Sequence, residues 1–149
     1  MALKERIQDD LKAALLGGDR FVGETLRNLK AAILNEEVAQ NKRDTGLDDE
    51  TVEQIIAKEV KKRNESAALY DQNMRQDAAD EERREAEVLR RYLPRQLSEA
   101  ELKTVVDAKV AEIGTDIKKM GQVIGAVKKD VGNTADGALI AKLVKEALS

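Results

Sequence analysis

A single proline, Pro94, interrupts a chain of 149 residues that is otherwise rich in helix formers. Proline has no amide proton to donate and disfavours helical backbone at the residue before it, so a helix arriving from the N-terminal side must stop at Leu93. Four residues later Ser98-Glu99-Ala100-Glu101 spells a capping box. In that motif the serine hydroxyl accepts the Glu101 amide and the Glu101 carboxylate accepts the Ser98 amide. One helix ends and another starts within a few residues. The spacing predicts an N-terminal helical domain over residues 1–94 and a C-terminal domain over 95–149, with too little chain between them for a flexible tether.

Apolar residues recur at three- and four-residue spacings through both halves, which is the mark of helix stripes and not of strands. The first helix is expected over about 2–16, with Leu3, Ile7, Leu11, Ala14 and Leu15 inward and Gly17-Gly18 as its stop. Asp19 then caps a second helix with Val22, Leu26, Leu29 and Ile33 inward. The polar stretch Gln40 to Gly46 reads as a loop. Asp48 or Asp49 caps a long third helix carrying Val52, Ile56, Val60, Ala67, Tyr70 and Met74. A break near Met74–Ala79 precedes a fourth, with Val88, Leu89, Tyr92 and Leu93 inward. Beyond Pro94 the fifth helix shows Leu102, Val105, Val106, Val110 and Ile113. The sixth shows Ile117, Met120, Ile124, Val127 and Val131, and is stopped by Gly132-Asn133. Asp136 is placed as the N-cap of the seventh, with Leu139, Ile140, Leu143, Val144 and Leu148. The fold expected is all-α: about four N-terminal helices and a three-helix C-terminal tail.

Composition narrows the chemistry. Aromatic residues make up 2% of the chain, namely Phe21, Tyr70 and Tyr92, and charged residues 37%. There is no cysteine and no histidine, which removes disulfides, thiolates and the commonest general base and transition-metal ligand. No phosphate loop, nucleophile elbow or metal-ligand spacing occurs. No cofactor and no metal are therefore expected. No long apolar run or signal pattern is present, from which a soluble, cytoplasmic protein without a membrane partner is expected. Residues 1–93 hold 17 basic and 21 acidic side chains, and residues 94–149 hold 9 and 8. Neither half is a strong polyanion binder on charge alone, so any nucleic-acid contact must rest on a local patch.

The tail carries the pattern Met120-Gly121-x-Val123-x-Gly125, then Ala135-Asp136-Gly137, then Ile140, Leu143-Val144 and Leu148. This resembles the GatB/YqeY tail domain, found at the C-terminus of the tRNA-dependent amidotransferase B subunit and in stand-alone YqeY-like proteins. Glu24 to Glu37 and Glu87 to Leu102 are similar to the second helix and the Tyr-Leu-Pro joint of the stand-alone form. The resemblance implies an accessory role: contact with tRNA, or with an amidotransferase or synthetase, in the setting of tRNA-dependent transamidation, and no DNA partner. It also implies the family label of carbon–nitrogen ligase with glutamine as amido donor, although no catalytic residues are identified here. Where tail domains usually carry basic residues this chain has Gln122, Asp130, Gly132 and Thr134, and Lys129 stands in place of a usual proline.

The RNA-contacting residues expected are Lys118, Lys119, Gln122, Gly125, Lys128 and Lys129 on the sixth helix and Lys142 and Lys145 on the seventh. Lysines contact phosphates as point charges, and no aromatic side chain interleaves to stack bases. The alternative for the lysines is a solvated helix face. For Gly121 and Gly125 the alternative is tight packing of a neighbouring helix. Asp136 reads as a cap. The charged run Glu81–Glu87 reads as a solvated face paired as Asp80–Arg84 and Glu87–Arg91. Asn35, Glu36 and Glu37 form a small acidic cluster that makes a poor metal site without histidine. A second functional reading is a protein–protein adaptor with no RNA role, which an exposed apolar patch on the N-terminal half would support.

Overall fold

The computed structural model describes residues 2–149. They form seven α-helices and no strand: α1 (Leu3–Leu16), α2 (Arg20–Ala39), α3 (Asp49–Gln72), α4 (Gln76–Arg90), α5 (Glu99–Ile113), α6 (Met120–Val131) and α7 (Gly137–Leu148). The chain divides into two compact units, one ending at Leu93 and the other spanning Pro94–Ser149.

In the first unit α1 and α2 form one helical hairpin and α3 and α4 another. The turn between α1 and α2 uses Gly18 at φ 75°, a left-handed conformation that costs glycine nothing. Asp19 then caps α2 by accepting the Val22 amide at 3.1 Å, and Asp48 caps α3 through the Thr51 amide at 2.9 Å. The core joins Leu3, Ile7 and Leu11 of α1 to Leu26, Leu29 and Ile33 of α2, Val52, Ile56 and Val60 of α3, and Leu89 of α4. Each such aliphatic side chain taken from water contributes about 1.5–3 kcal/mol. Tyr92 closes this core at the end of α4. Its hydroxyl donates to Asp10 at 2.6 Å, and the Arg6 guanidinium lies 4.9 Å from its ring centroid. Burial first, and then the Asp10 carboxylate, push the phenol well above its ordinary range.

Several side chains depart from their expected places. Leu15 stands outside the core, 51% exposed, because it packs along Gly23 at the rim of the α1–α2 hairpin. Met74 does not continue the α3 stripe, since α3 ends at Gln72 and Met74 lies in the turn at φ 60°. The pairs Asp80–Arg84 and Glu87–Arg91 do not form. Arg84 instead lies over the Phe21 ring at 4.0 Å, and Asp80 and Glu87 pair with Arg83 and Arg90 at i,i+3.

In the second unit α5, α6 and α7 pack pairwise around Leu102, Val106, Val123, Val127, Ile140, Leu143 and Val144. Both halves of the Ser98–Glu101 capping box are made, at 3.1 Å each. The segment before it is pinned to the α6–α7 connection by Leu97 N–H donating to Thr134 C=O at 2.7 Å. Gln96 donates to Asn133 C=O at 2.9 Å. Ile117 is not part of the α6 stripe. It sits in a 3-10 turn, Ile117–Lys119, whose tighter winding rotates it outward, 51% exposed. Val123, six residues on and within α6, takes the buried position.

Two outcomes are expected. The Arg95 guanidinium and the Ser98 amide hold the Glu101 carboxyl at about 2, below its ordinary 4.5. A carboxyl lowered in the folded state contributes stability that is complete above its unfolded value and is lost as pH falls through the folded one. Glu101→Gln should therefore remove part of the loss of tail stability between about pH 4.5 and 2, read as the difference between variant and parent thermal melts. Separately, a 95–149 fragment should keep helical circular dichroism, because its core is drawn from its own three helices. A fragment without helical signal beside a helical intact chain would count against an autonomous tail.

Candidate nucleic-acid interface

The α6 segment is built around one short stripe. Asp116 starts it, its carboxylate accepting the Lys118 amide at 3.0 Å. Val123, Val127 and Val131 then point inward. At 100° per residue the opposite face carries Gly121, Gln122, Gly125, Lys128 and Lys129, all exposed. A Cβ built at Gly121 or Gly125 would meet nothing within 4 Å. The tight packing of a neighbouring helix on these glycines is therefore absent among the described residues. The face is bare backbone open to solvent, at the helix-propensity cost that glycine carries.

The lysines divide into three groups. Lys119 is engaged: its ammonium donates to Ile113 C=O at 3.1 Å, closing the C-terminal end of α5. Lys118, Lys128 and Lys129 are exposed and make no ion pair among the described residues. The Lys128 side chain runs toward the start of α7, its Nζ 3.6 Å from where a Cβ on Gly137 would be. Lys142 and Lys145 are exposed on α7 and belong to that helix's own solvent face.

The one acidic residue of α6 is drawn away from this face. Asp130 pairs with Lys109 of α5 at 3.0 Å, and Glu112 approaches the same ammonium at 3.6 Å. The Asp130 hydrogen bond in turn raises the Lys109 ammonium above its ordinary value. Asp130 thus subtracts less from the lysine face than its position in the sequence suggests. Lys109 was invisible to sequence reasoning in this role: its i,i+3 spacing to Glu112 can be read, but its partner on α6 is set only by packing. Asp136 occupies the N-cap position of α7 with extended backbone, yet its side chain makes no cap hydrogen bond, so the capping explanation for that residue fails. Thr134 spends its hydroxyl on Val131 C=O at 2.6 Å.

The acidic cluster of α2 also separates. Glu36 accepts from Gln40 at 2.7 Å on the surface. Glu37 is 1% exposed, with Oε1 2.6 Å from the Lys4 ammonium. That contact is out of line for a hydrogen bond, and no other donor reaches the atom. Among the described residues no helix is long and apolar enough to cross a membrane.

An all-helical chain of two units, the second presenting a glycine-bared, lysine-flanked helix, is the class these features define. The chain belongs to the YqeY-like protein family, whose model matches residues 4–148. Among curated proteins it is similar to "Altered inheritance of mitochondria protein 41, mitochondrial" of several yeasts. The Kluyveromyces lactis protein is 32% identical over 116 residues, 76% of this chain and 59% of that protein. The Vanderwaltozyma polyspora protein is 30% identical over 143 residues, 96% of this chain and 74% of its relative. The Clavispora lusitaniae protein is 26% identical over 143 residues, 95% and 74% respectively. The chain thus spans only part of the curated relatives it matches. Their names, which end in the word mitochondrial, correct the expectation of a cytoplasmic protein. That expectation rested on the lack of a long apolar run and of a secretory signal pattern, which bear on membrane crossing and secretion and not on a compartment such as the mitochondrion.

The open glycines make a stability prediction. Gly125→Ala should raise the stability of the tail by about 1 kcal/mol, because the site lies in the helix interior and the added methyl meets open space. Gly121→Ala should gain less, because it lies in the first turn. Denaturant melts of the two variants check this, and destabilisation by either would show a close contact on that face.

Proposed function

We propose that the tail unit is a non-catalytic contact for RNA backbone, serving tRNA or a tRNA-handling enzyme in the setting of tRNA-dependent transamidation. The observation that carries this reading is the α6 face itself. Two glycines with open space above them lie on one helix with Lys128 and Lys129, and Lys118 stands in the 3-10 turn just before it; none of the three lysines is tied to a carboxylate. Bare backbone lets a phosphate-sugar chain approach closely, and free ammonium groups exchange counterions for phosphates. The GatB-like pattern of residues 120–148 supports the same assignment by resemblance. No exposed ring on this unit is available to stack a base, so the contact reads backbone position and not sequence. Amide transfer is no part of this reading.

A second reading, a protein adaptor, draws on a different observation: Leu69 and Met74 of the first unit are 58% and 93% exposed. The two are compatible, because they use different units.

With purified chain and total tRNA at low salt, binding should fall with salt at a log–log slope of about −3, near one unit for each of three lysines. Lys128→Glu with Lys129→Glu should cut the slope to about −1 for all tRNAs alike. Gly125→Leu should weaken binding by sterics without lowering helix content. Gln122→Lys should strengthen binding by about 1 kcal/mol or less, as expected for an exposed charge. Silence of both the parent and the Gln122→Lys variant at micromolar tRNA would end the RNA reading.

A further inference from the structure

The α3–α4 hairpin reaches past the core it helps to build. α3 has 24 residues, about 36 Å of helix. Its core members end at Val60, and those of α4 begin at Ala86. Between these points the two helices bury only small side chains, Ala67 on α3 and Ala79 on α4. The far end is an arm whose tip carries large apolar groups in solvent: Leu69 at 58% and Met74 at 93% exposure.

The tip is held, not frayed. Asn73 Nδ2 donates to Leu69 C=O at 2.8 Å, and the Arg75 amide donates to Tyr70 C=O at 2.8 Å. Arg83 ties α4 back to Asp71. Arg75 is drawn over the Tyr70 ring at 5.4 Å. Met74 takes φ 60°, a left-handed conformation that glycine or asparagine adopts more easily. Neither the turn nor any packing inside the unit calls for methionine there. Residues 65–83 also carry six carboxylates against two cations, Arg75 and Arg83; Arg83 pairs with Asp71 and Asp80, and Glu65, Asp77, Glu81 and Glu82 remain as the collar's excess negative charge.

We infer that the Leu69–Met74 tip is a docking knob for a protein partner whose pocket has an apolar floor and a lysine- or arginine-rich rim. The apolar tip needs an apolar seat, and the acidic collar sets the sign of the rim by charge complementarity. Methionine suits such a seat because its flexible thioether fits irregular surfaces. The locked turn keeps the ordering cost of binding low. The same collar repels phosphates, and it repels the tip of a second copy. RNA and tip-to-tip pairing are therefore disfavoured as occupants. The inference stands apart from the RNA reading, which concerns α6.

The test uses the full chain labelled with 13C at its methionine methyl groups, so that Met74 reports on the tip and Met120 on the tail. Two synthetic helical peptides share one leucine stripe, flanked in the first by lysines and in the second by glutamates. The lysine-flanked peptide should shift the Met74 signal saturably and leave Met120 in place, and the glutamate-flanked peptide should do neither. Leu69→Ser should weaken binding by about tenfold or more, as loss of a buried leucine does. Met74→Gly relieves the backbone and keeps the fold; because it removes the Met74 probe, its affinity for the lysine-flanked peptide is read by titration calorimetry beside the parent, and its loss of binding isolates the side chain. Asp77→Lys with Glu81→Lys should invert the preference between the peptides. Equal response to both peptides, an unmoved Met74, or a Met74 shift caused by tRNA would each overturn the inference.

Discussion

Most buried side chains among the described residues lie on helix stripes only two or three side chains wide, composed mainly of leucine, valine, isoleucine and alanine. A stripe that narrow buries its apolar groups only if the helix starts at the right residue, because each residue of slippage turns it by 100°. The structure depends on the devices that set those starts. Asp19, Asp48 and Ser98 each hold a first-turn amide, and Gly18 allows the backbone reversal that precedes Asp19. The displacement of Ile117 shows the rule from the other side. Three residues wound as a 3-10 turn before α6 are enough to move an isoleucine from the core to the surface.

The two units spend their surface differently. The first carries its excess carboxylates on a long hairpin and closes its core with Tyr92, anchored to Asp10 and covered by Arg6. The second pairs the α6 carboxylate, Asp130, with Lys109 and leaves three lysines beside a glycine-bared helix face. Glycine at an exposed helix position lowers stability with no packing in return, and a left-handed Met74 does the same in the other unit. Local cost without local benefit is the pattern of surfaces shaped by something outside the chain.

Much of the fold was legible because helix signals are local. The period of three and four, the Pro94 stop, the Ser98–Glu101 box and the caps at Asp19 and Asp48 all act within one or two turns; the box and the Asp19 cap form as read, Asp48 and not Asp49 caps α3, and α4 ends at Arg90, three residues ahead of the Leu93 stop expected from Pro94. The candidate site was legible only in part. Lys118, Lys119, Gln122, Gly125, Lys128 and Lys129 could be placed on one helix by spacing; the structure keeps Gln122, Gly125, Lys128 and Lys129 solvent-facing on α6 but winds Lys118 and Lys119 into the 3-10 turn before it. The meaning of the glycines could not be read, because a small residue in a helix looks the same whether another helix packs on it or nothing does. Asp136 has the residue type and position of a cap but makes no cap bond, since residue type permits a hydrogen bond without making it.

The amino-acid order by itself determined the all-helical class, the helix count and most inward-facing residues, because these follow from backbone sterics and from side-chain periodicity within a few residues. Only the tertiary structure decided which charges are free. It sent Lys119 to the end of α5, Asp130 to Lys109, Glu37 into the interior beside Lys4 and Arg84 onto Phe21. It also decided that Gly125 faces solvent and that Leu69 and Met74 stand uncovered at the end of an arm. These outcomes depend on distances between groups far apart in the chain, and those distances are set by how the stripes pack.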